Sequence, residues 1–325
     1  MSAAARPVIL DVDTGIDDAL ALMLAGLSPA LDVRAITCVG GNVHLEQVVQ
    51  NTLQVLELIG RRDIPVAAGA RQPLLESPID ASYIHGSNGV ADAVLPAASR
   101  QPEGVHAVEL LRRTLQDADA PVTIIALAPL TNIALFVTMY PELLPRIERI
   151  VFMGGAVGAG NATASAEFNV WHDPEAAAIV LRSGVATTMY GLEAFYAVTC
   201  SAEQIAALSA AAPGSVASTV GTLLAHLAVV TENEERIAGV GAAAIGDAGT
   251  VCAVIDPDGL TLRRAQVEVA LAPGITRGQT VVDLRTGLGA GGSETHEAAG
   301  NVDVVLAVRG ESFSRLFLET MTGPF

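Results

Sequence analysis

Short runs of β-branched and aliphatic residues alternate along this chain with segments of helical spacing, and several of the runs end in small or polar residues. Residues 8–10, 33–39, 122–128 and 150–153 are predicted to be buried strands, with helices over 17–27, 45–59, 106–115 and 132–139. Continuous apolar strands alternating with helices imply a mostly parallel sheet flanked by helices on both faces, a Rossmann-like α/β fold. The C-terminal third reads as strands over 266–271, 279–283 and 302–308 and a closing helix over 314–320. With 325 residues, 51% of them hydrophobic, the chain can bury one large core. No Pro, Gly or Ser tract divides it, so residues 1–325 are expected to form a single domain. The Gly- and Ala-rich stretches at 154–160 and 287–292 are then loops of that domain.

In such a sheet, ligands bind beyond the carboxyl ends of the strands, and the polar groups of this chain cluster there. Asp11, Asp13, Asp17 and Asp18 place four carboxylates within eight residues, directly after the run Val8, Ile9, Leu10. Carboxylates this close must raise their pKa values or hold a counter-ion, and a hard divalent cation such as calcium suits an all-oxygen set. Asp17 or Asp18 could instead cap the following helix, but capping explains one Asp and not four. Gly40, Gly41 and Asn42 follow the second run, Pro129 to Asn132 another, and Gly154 and Gly155 follow Met153, so four strand ends are expected to meet at one crevice.

The formal charge of −17 argues against a nucleic-acid or anionic-membrane partner. The pairs Arg61-Arg62, Arg112-Arg113 and Arg263-Arg264 are isolated and read as solvated surface. Cys38, Cys200 and Cys252 form no Cys-x-x-Cys pair, so neither a zinc site nor a disulfide framework is indicated, and the sparse, odd count suits a reducing cytoplasm. The apolar run after the first Arg is too short for a signal peptide, and no stretch of about 20 apolar residues suggests a membrane span.

Three further segments carry candidate site residues. Asn161, Glu167 and Asn169 offer donors and acceptors suited to several sugar hydroxyls, although a surface loop shows the same residue types. Asp247, after Gly246, is either a ligand or only the N-cap of a helix. His85 falls in a long polar segment suited to a mobile lid, where a lone His can also be incidental.

Together these segments resemble the inosine-uridine preferring nucleoside hydrolases, a family of calcium-dependent ribohydrolases. The opening signature Asp-x-Asp-x-Gly-x-Asp-Asp-Ala is complete from Asp11 to Ala19. The same order continues through Gly40-Gly41-Asn42, residues 128–132, Met153-Gly154-Gly155, Glu167-Phe168-Asn169, residues 173–177 and Thr276-Arg277-Gly278. The resemblance implies that Asp13 is the general base and a metal contact, and that Asp18, Asp247 and the carbonyl of Leu127 hold Ca²⁺ with it. It assigns Asp17, Asn161, Glu167 and Asn169 to the ribose hydroxyls and sets Asn42 and Met153 near the reacting carbon. It also implies self-association as a homodimer or homotetramer and a place in purine or pyrimidine salvage.

That assignment agrees with the chemistry of the reaction. Cleaving an N-glycosidic bond builds positive charge on the anomeric carbon while a water needs a base on the face opposite the leaving nucleobase. Anionic walls favour such a transition state over the neutral ground state. One feature departs from the family. Many members carry a His directly before the last metal-binding Asp, where it is implicated in protonating the base, and Gly246 stands there in this chain. Purine-specific relatives without that His stack the base between tryptophans, but Trp171 is the one Trp of this sequence, and packing is its expected role. Candidate substitute acids are His85, His226 and Tyr196. Two other readings compete. A haloacid dehalogenase-like phosphatase would place two Asp similarly, yet Gly15 stands where that signature needs Thr or Val. A calcium and ribonucleoside binding protein, or a hydrolase relic, would have lost turnover together with the acid.

Overall fold

The computed structural model describes residues 4–285 and 300–323; the Gly- and Ala-rich stretch 287–292 lies outside the described residues. Eleven strands are described: β1 (Arg6–Val12), β2 (Leu31–Cys38), β3 (Val66–Ala68), β4 (Val122–Ala126), β5 (Ile147–Met153), β6 (Thr187–Tyr190), β7 (Thr199–Cys200), β8 (Ala243–Ala244), β9 (Leu260–Val269), β10 (Thr280–Asp283) and β11 (Val302–Val308). Nine of them form one sheet in the order β10-β9-β11-β6-β5-β4-β1-β2-β3. The pairs from β3 across to β11 are parallel, whereas β9 runs antiparallel to both β11 and β10. The strands read in the C-terminal third are therefore present: β11 continues the parallel sheet, and β9 and β10 extend it through antiparallel pairs.

Central strands of this kind are covered on both faces, which explains their unbroken apolar sequences. Val8, Ile9, Leu10 and Val12 of β1 are all fully buried, and two separate apolar clusters, one containing Val8 and Leu10 and the other Ile9, lie on opposite faces of the sheet. The helix Ile16–Leu27 is apolar almost all round and correspondingly buried. It stops at Ser28, which is extended, as expected for a residue preceding a proline.

The order of the strands decides where a ligand can enter. β1 pairs with β2 on one side and with β4 on the other, so the chain reverses its direction of growth beside β1 and leaves a crevice beyond the carboxyl ends. Four strands were not legible in advance. β3, β6, β7 and β8 have three, four, two and two residues, too short for a periodic signal to stand out.

The alternative reading of Asp17, Asp18 or Asp247 as helix caps is set aside by the structure. Gly15, not Asp17 or Asp18, is the N-cap of the helix Ile16–Leu27, and Asp18 lies in its first turn with Oδ2 accepting from the Gly15 N–H at 3.0 Å. Asp247 is likewise inside the first turn of the helix Asp247–Ile255, which Gly246 caps. Carboxylates in a first turn are favoured by the positive end of the helix. Both helices thus aim their N-termini and an Asp at the same region.

Candidate active site

An open cavity of about 490 Å³ lies beyond the carboxyl ends of the central strands. Its wall includes Asp17, Asn42, His85, Leu127, Met153, Asn161, Glu167, Asn169 and Asp247. Nine of the expected site residues, drawn from positions more than 200 residues apart, therefore face one space. Asp13 and Asp18 are fully buried and lie against this wall rather than on it.

Asp13 and Asp18 are bound to Asn42 from below. The Asn42 backbone N–H donates to Asp13 Oδ2 at 2.7 Å, and its Nδ2 donates to Asp13 Oδ1 and to Asp18 Oδ2, both at 3.1 Å. The turn at 40–42 must approach very closely to do this. A Cβ on Gly41 would lie 2.1 Å from Asp13 Oδ2, so only glycine fits. Burial, with repulsion from Asp18, holds the Asp13 carboxyl well above its usual range. Burial and the charge of Asp17 push Asp18 up to about 7, and Asp247 is raised well above its ordinary value by burial and the Asp17, Asp18 and Asp13 carboxylates.

A cation would relieve that repulsion. Carboxylate oxygens of Asp17, Asp18 and Asp247 all lie within 4.8 Å of one another, and the buried Asp17 Oδ1 has no hydrogen-bond partner. Oxygen donors at this spacing suit a hard divalent metal. This cluster includes Asp17, which the sequence assigned to ribose, and not Asp13. The Leu127 carbonyl accepts from Asn169 Nδ2 at 2.9 Å, and Asn169 also donates to the Met153 carbonyl at 3.1 Å. Asn169 therefore ties the end of β4 to the end of β5.

Glu167 has both a structural and a site-facing position. It is the N-cap of the short helix Phe168–His172, taking backbone N–H bonds from Asn169 and Val170, and it also accepts from Gly155 at 2.9 Å. Burial nevertheless outweighs these bonds and pushes its carboxyl up to about 7. Asn161 accepts from the Phe168 N–H at 2.9 Å, which closes the loop over which both amides are presented.

His85 is not on a free lid. It ends the short helix Ser82–His85, is buried, and accepts the Ile16 N–H on Nδ1 at 3.1 Å. Burial lowers its pKa. His226 bonds through Nε2 to the Ile84 carbonyl at 2.9 Å and does not line the cavity. Trp171 faces a different cavity, packed against Gly278. Asp11 is also removed from the cavity: it lies within β1 opposite Thr37 and Ala126, and its Oδ1 accepts from Thr37 Oγ1 at 2.6 Å and Asn132 Nδ2 at 2.8 Å. Asp173 anchors the scaffold, accepting from Thr131, Leu74 and Ala176.

Sequence reasoning did not single out a further part of the cavity wall. Phe168, Phe195, Thr231, Asn233, Glu234 and Arg236 line it together with Tyr196. Arg236 stacks its guanidinium 4.2 Å from the centre of the Tyr196 ring and is bound by both oxygens of Glu234. In sequence the segment 231–236 looks like a solvated acidic turn, and nothing in its spacing shows that it folds back over the site.

The family model for inosine-uridine preferring nucleoside hydrolases matches residues 8–315. The chain belongs to that family. It is 40% identical over 279 residues to the pyrimidine-specific ribonucleoside hydrolase RihA of Escherichia coli O1:K1 / APEC, covering 86% of this chain and 89% of the relative. Among solved structures, a plant nucleoside hydrolase, PpNRh1, superposes with a TM-score of 0.89 at 30% identity, covering 98% of this chain and 99% of the other. The purine-preferring ribonucleoside hydrolase from Gardnerella vaginalis gives a TM-score of 0.85 at 27% identity over 97% and 98% of the two chains. The protein is thus an enzyme, an N-glycosidase acting on ribonucleosides. Among the described residues no helix is long and apolar enough to cross a membrane.

Proposed function

We propose that residues 1–325 act as one nucleoside hydrolase domain that cleaves the N-glycosidic bond of ribonucleosides to ribose and free base, with Asp13 as general base. What carries this reading is the convergence of Asp17, Asn42, Glu167, Asn169 and Asp247 on a single cavity in a chain of this family. Asp13 takes the proton of the attacking water while Asn42 fixes the direction of its carboxylate. Asp17, Asn161, Glu167 and Asn169 bind the ribose hydroxyls, Met153 packs beneath the reacting carbon, and His85 donates from Nε2 to the substrate. Carboxylates around the anomeric carbon favour the positive charge that develops as the bond breaks.

The metal is assigned as calcium: Asp17, Asp18 and Asp247 bring the carboxylate oxygens that lie close together, and the family resemblance adds Asp13 and the Leu127 carbonyl as ligands. When bound, it supplies Lewis-acid polarisation of water and of the ribose diol. Pyrimidine ribonucleosides head the candidate substrates, since the RihA relative is named for them. A cytoplasmic homodimer or homotetramer working in nucleoside salvage completes the reading.

The test is ribose release from uridine, cytidine, inosine, adenosine and p-nitrophenyl riboside, each with calcium and with a chelator. Calcium-dependent release that Asp13→Ala abolishes is the expected result. Binding of a ribonucleoside without release from any of them would favour the binding-protein reading instead.

A further inference from the structure

At the end of the cavity lined by Phe168, Phe195 and Tyr196 no side chain is free to give up a proton: Glu167, pushed up to about 7 by burial, has both oxygens held as acceptors by the N–H groups of Gly155, Asn169 and Val170. Gly246, at the position where many members of the family carry a His, has φ +58° and ψ −127°, a conformation open in practice to glycine alone. A Cβ there would also lie 2.6 Å from Asp17 Cβ and 3.1 Å from Phe195 Cζ. No side chain is accommodated, so the backbone itself excludes an acid at this position.

The other candidates fail one by one. His85 accepts a backbone N–H on Nδ1, so its single ring proton is on Nε2, and releasing that proton would require an imidazolate. His226 is committed to the Ile84 carbonyl and stands off the cavity. Burial pushes the Tyr196 hydroxyl up to about 12. Arg236 never acts as an acid at such pH, and its charge is matched by Glu234. What remains at this end is an aromatic wall of Phe168, Phe195 and Tyr196, with the rings of Phe195 and Tyr196 5.1 Å apart edge to face. Asp17, Glu167 and Asp247 also line the cavity.

We propose that this cavity is matched to ribosides of a quaternised aromatic nitrogen, the pyridinium ribosides, whose leaving group departs without being protonated. The inference rests on the hydrolase reading above. In such a substrate the water oxygen bonds to C1′ and its proton goes to Asp13, while the electron pair of the breaking C1′–N bond neutralises the ring nitrogen. A neutral pyridine leaves, and no proton is owed to it. For uridine or inosine the same electron pair leaves an anion, which needs the acid this site lacks. The aromatic faces of Phe168, Phe195 and Tyr196 attract a flat cation.

The experiment compares kcat/KM of the calcium-loaded full chain on nicotinamide riboside, its uncharged 1,4-dihydro form, uridine, inosine and p-nitrophenyl riboside, the last of which departs as a stable phenolate. An enzyme with an acid levels leaving groups, whereas one without preserves their differences, so nicotinamide riboside should exceed uridine and inosine by about 10²-fold or more. The Glu234→Gln variant, which leaves Arg236 as an unmatched cation, should lower kcat/KM for the pyridinium about tenfold relative to p-nitrophenyl riboside. Cleavage of uridine or inosine within tenfold of the pyridinium overturns the inference and leaves the hydrolase reading standing. Release of ribose from none of the five overturns both.

Discussion

Asp17 and Gly246 stand so close that a Cβ on Gly246 would lie 2.6 Å from the Cβ of Asp17, at a backbone position that already has φ +58°. The space that a leaving-group His would need is therefore taken up by a carboxylate of the site. Gly246→His is expected to add no turnover. Backbone strain alone should cost about 1–3 kcal/mol of stability. Denaturant unfolding beside a ribose-release assay checks both, and a variant more active on uridine than the parent would show that the backbone relaxes around the new ring.

Asp13 has both oxygens directed by Asn42, so its replacement should separate chemistry from binding. On the proposed mechanism Asp13→Ala removes the base and is expected to lower kcat by about 10²- to 10⁴-fold. Ribose should still bind, because Asp17, Asn161, Glu167 and Asn169 remain on the cavity wall. The check is kcat against KM for p-nitrophenyl riboside, together with an inhibitor-binding titration of the variant.

The parts of this fold that were legible share one physical origin. Strands buried on both faces must be continuously apolar, and polar residues concentrated just past them can serve only the crevice there, which is why the ends of β1, β2, β4 and β5 could be placed around one site. What depends on distant packing was not legible. His85 reads as a lid residue because its neighbours are polar, yet its partner is the Ile16 N–H, 69 residues away. Arg236 lies in an acidic turn and reveals nothing of Tyr196 beneath it. The positive φ of Gly246 is a backbone property that the letter G permits without stating. Asp11 belongs to the same signature as Asp13, but its side chain packs against Thr37 and Asn132 and not toward the cavity.

Asn132 joins three segments below the site. Its Nδ2 donates to Asp11 Oδ1 and to the Cys38 carbonyl, and its Oδ1 accepts from the Ala70 N–H at 2.9 Å. Asn132→Leu would strand these buried partners, and Asp11 Oδ2 already lacks one. The expected loss is about 1–3 kcal/mol for each stranded group, measured by urea unfolding. A variant as stable as the parent would mean that water or a shifted strand takes over the bonds.

The acidic cluster makes the metal-free protein respond to pH in a direction opposite to that of a salt-bridged carboxylate. Burial and neighbouring charge raise Asp18 to about 7 from 3.8, and raise Asp13 and Asp247 as well. Between those two values the folded state binds more protons than the unfolded chain, so stability falls as pH rises through that window. Chelated protein should therefore melt at a lower temperature at pH 8 than at pH 5.5. Calcium binds the ionised carboxylates, so it should raise the melting temperature strongly at pH 8 and little at pH 5.5. Replacing Asp18 with Asn removes one buried charge and should flatten the pH dependence of the chelated protein while weakening the calcium response. Thermal melts of the parent and Asp18→Asn across pH 5.5–8, with calcium and with chelator, read all of these at once. A calcium shift equal at both ends of the range would show that the ion is held elsewhere.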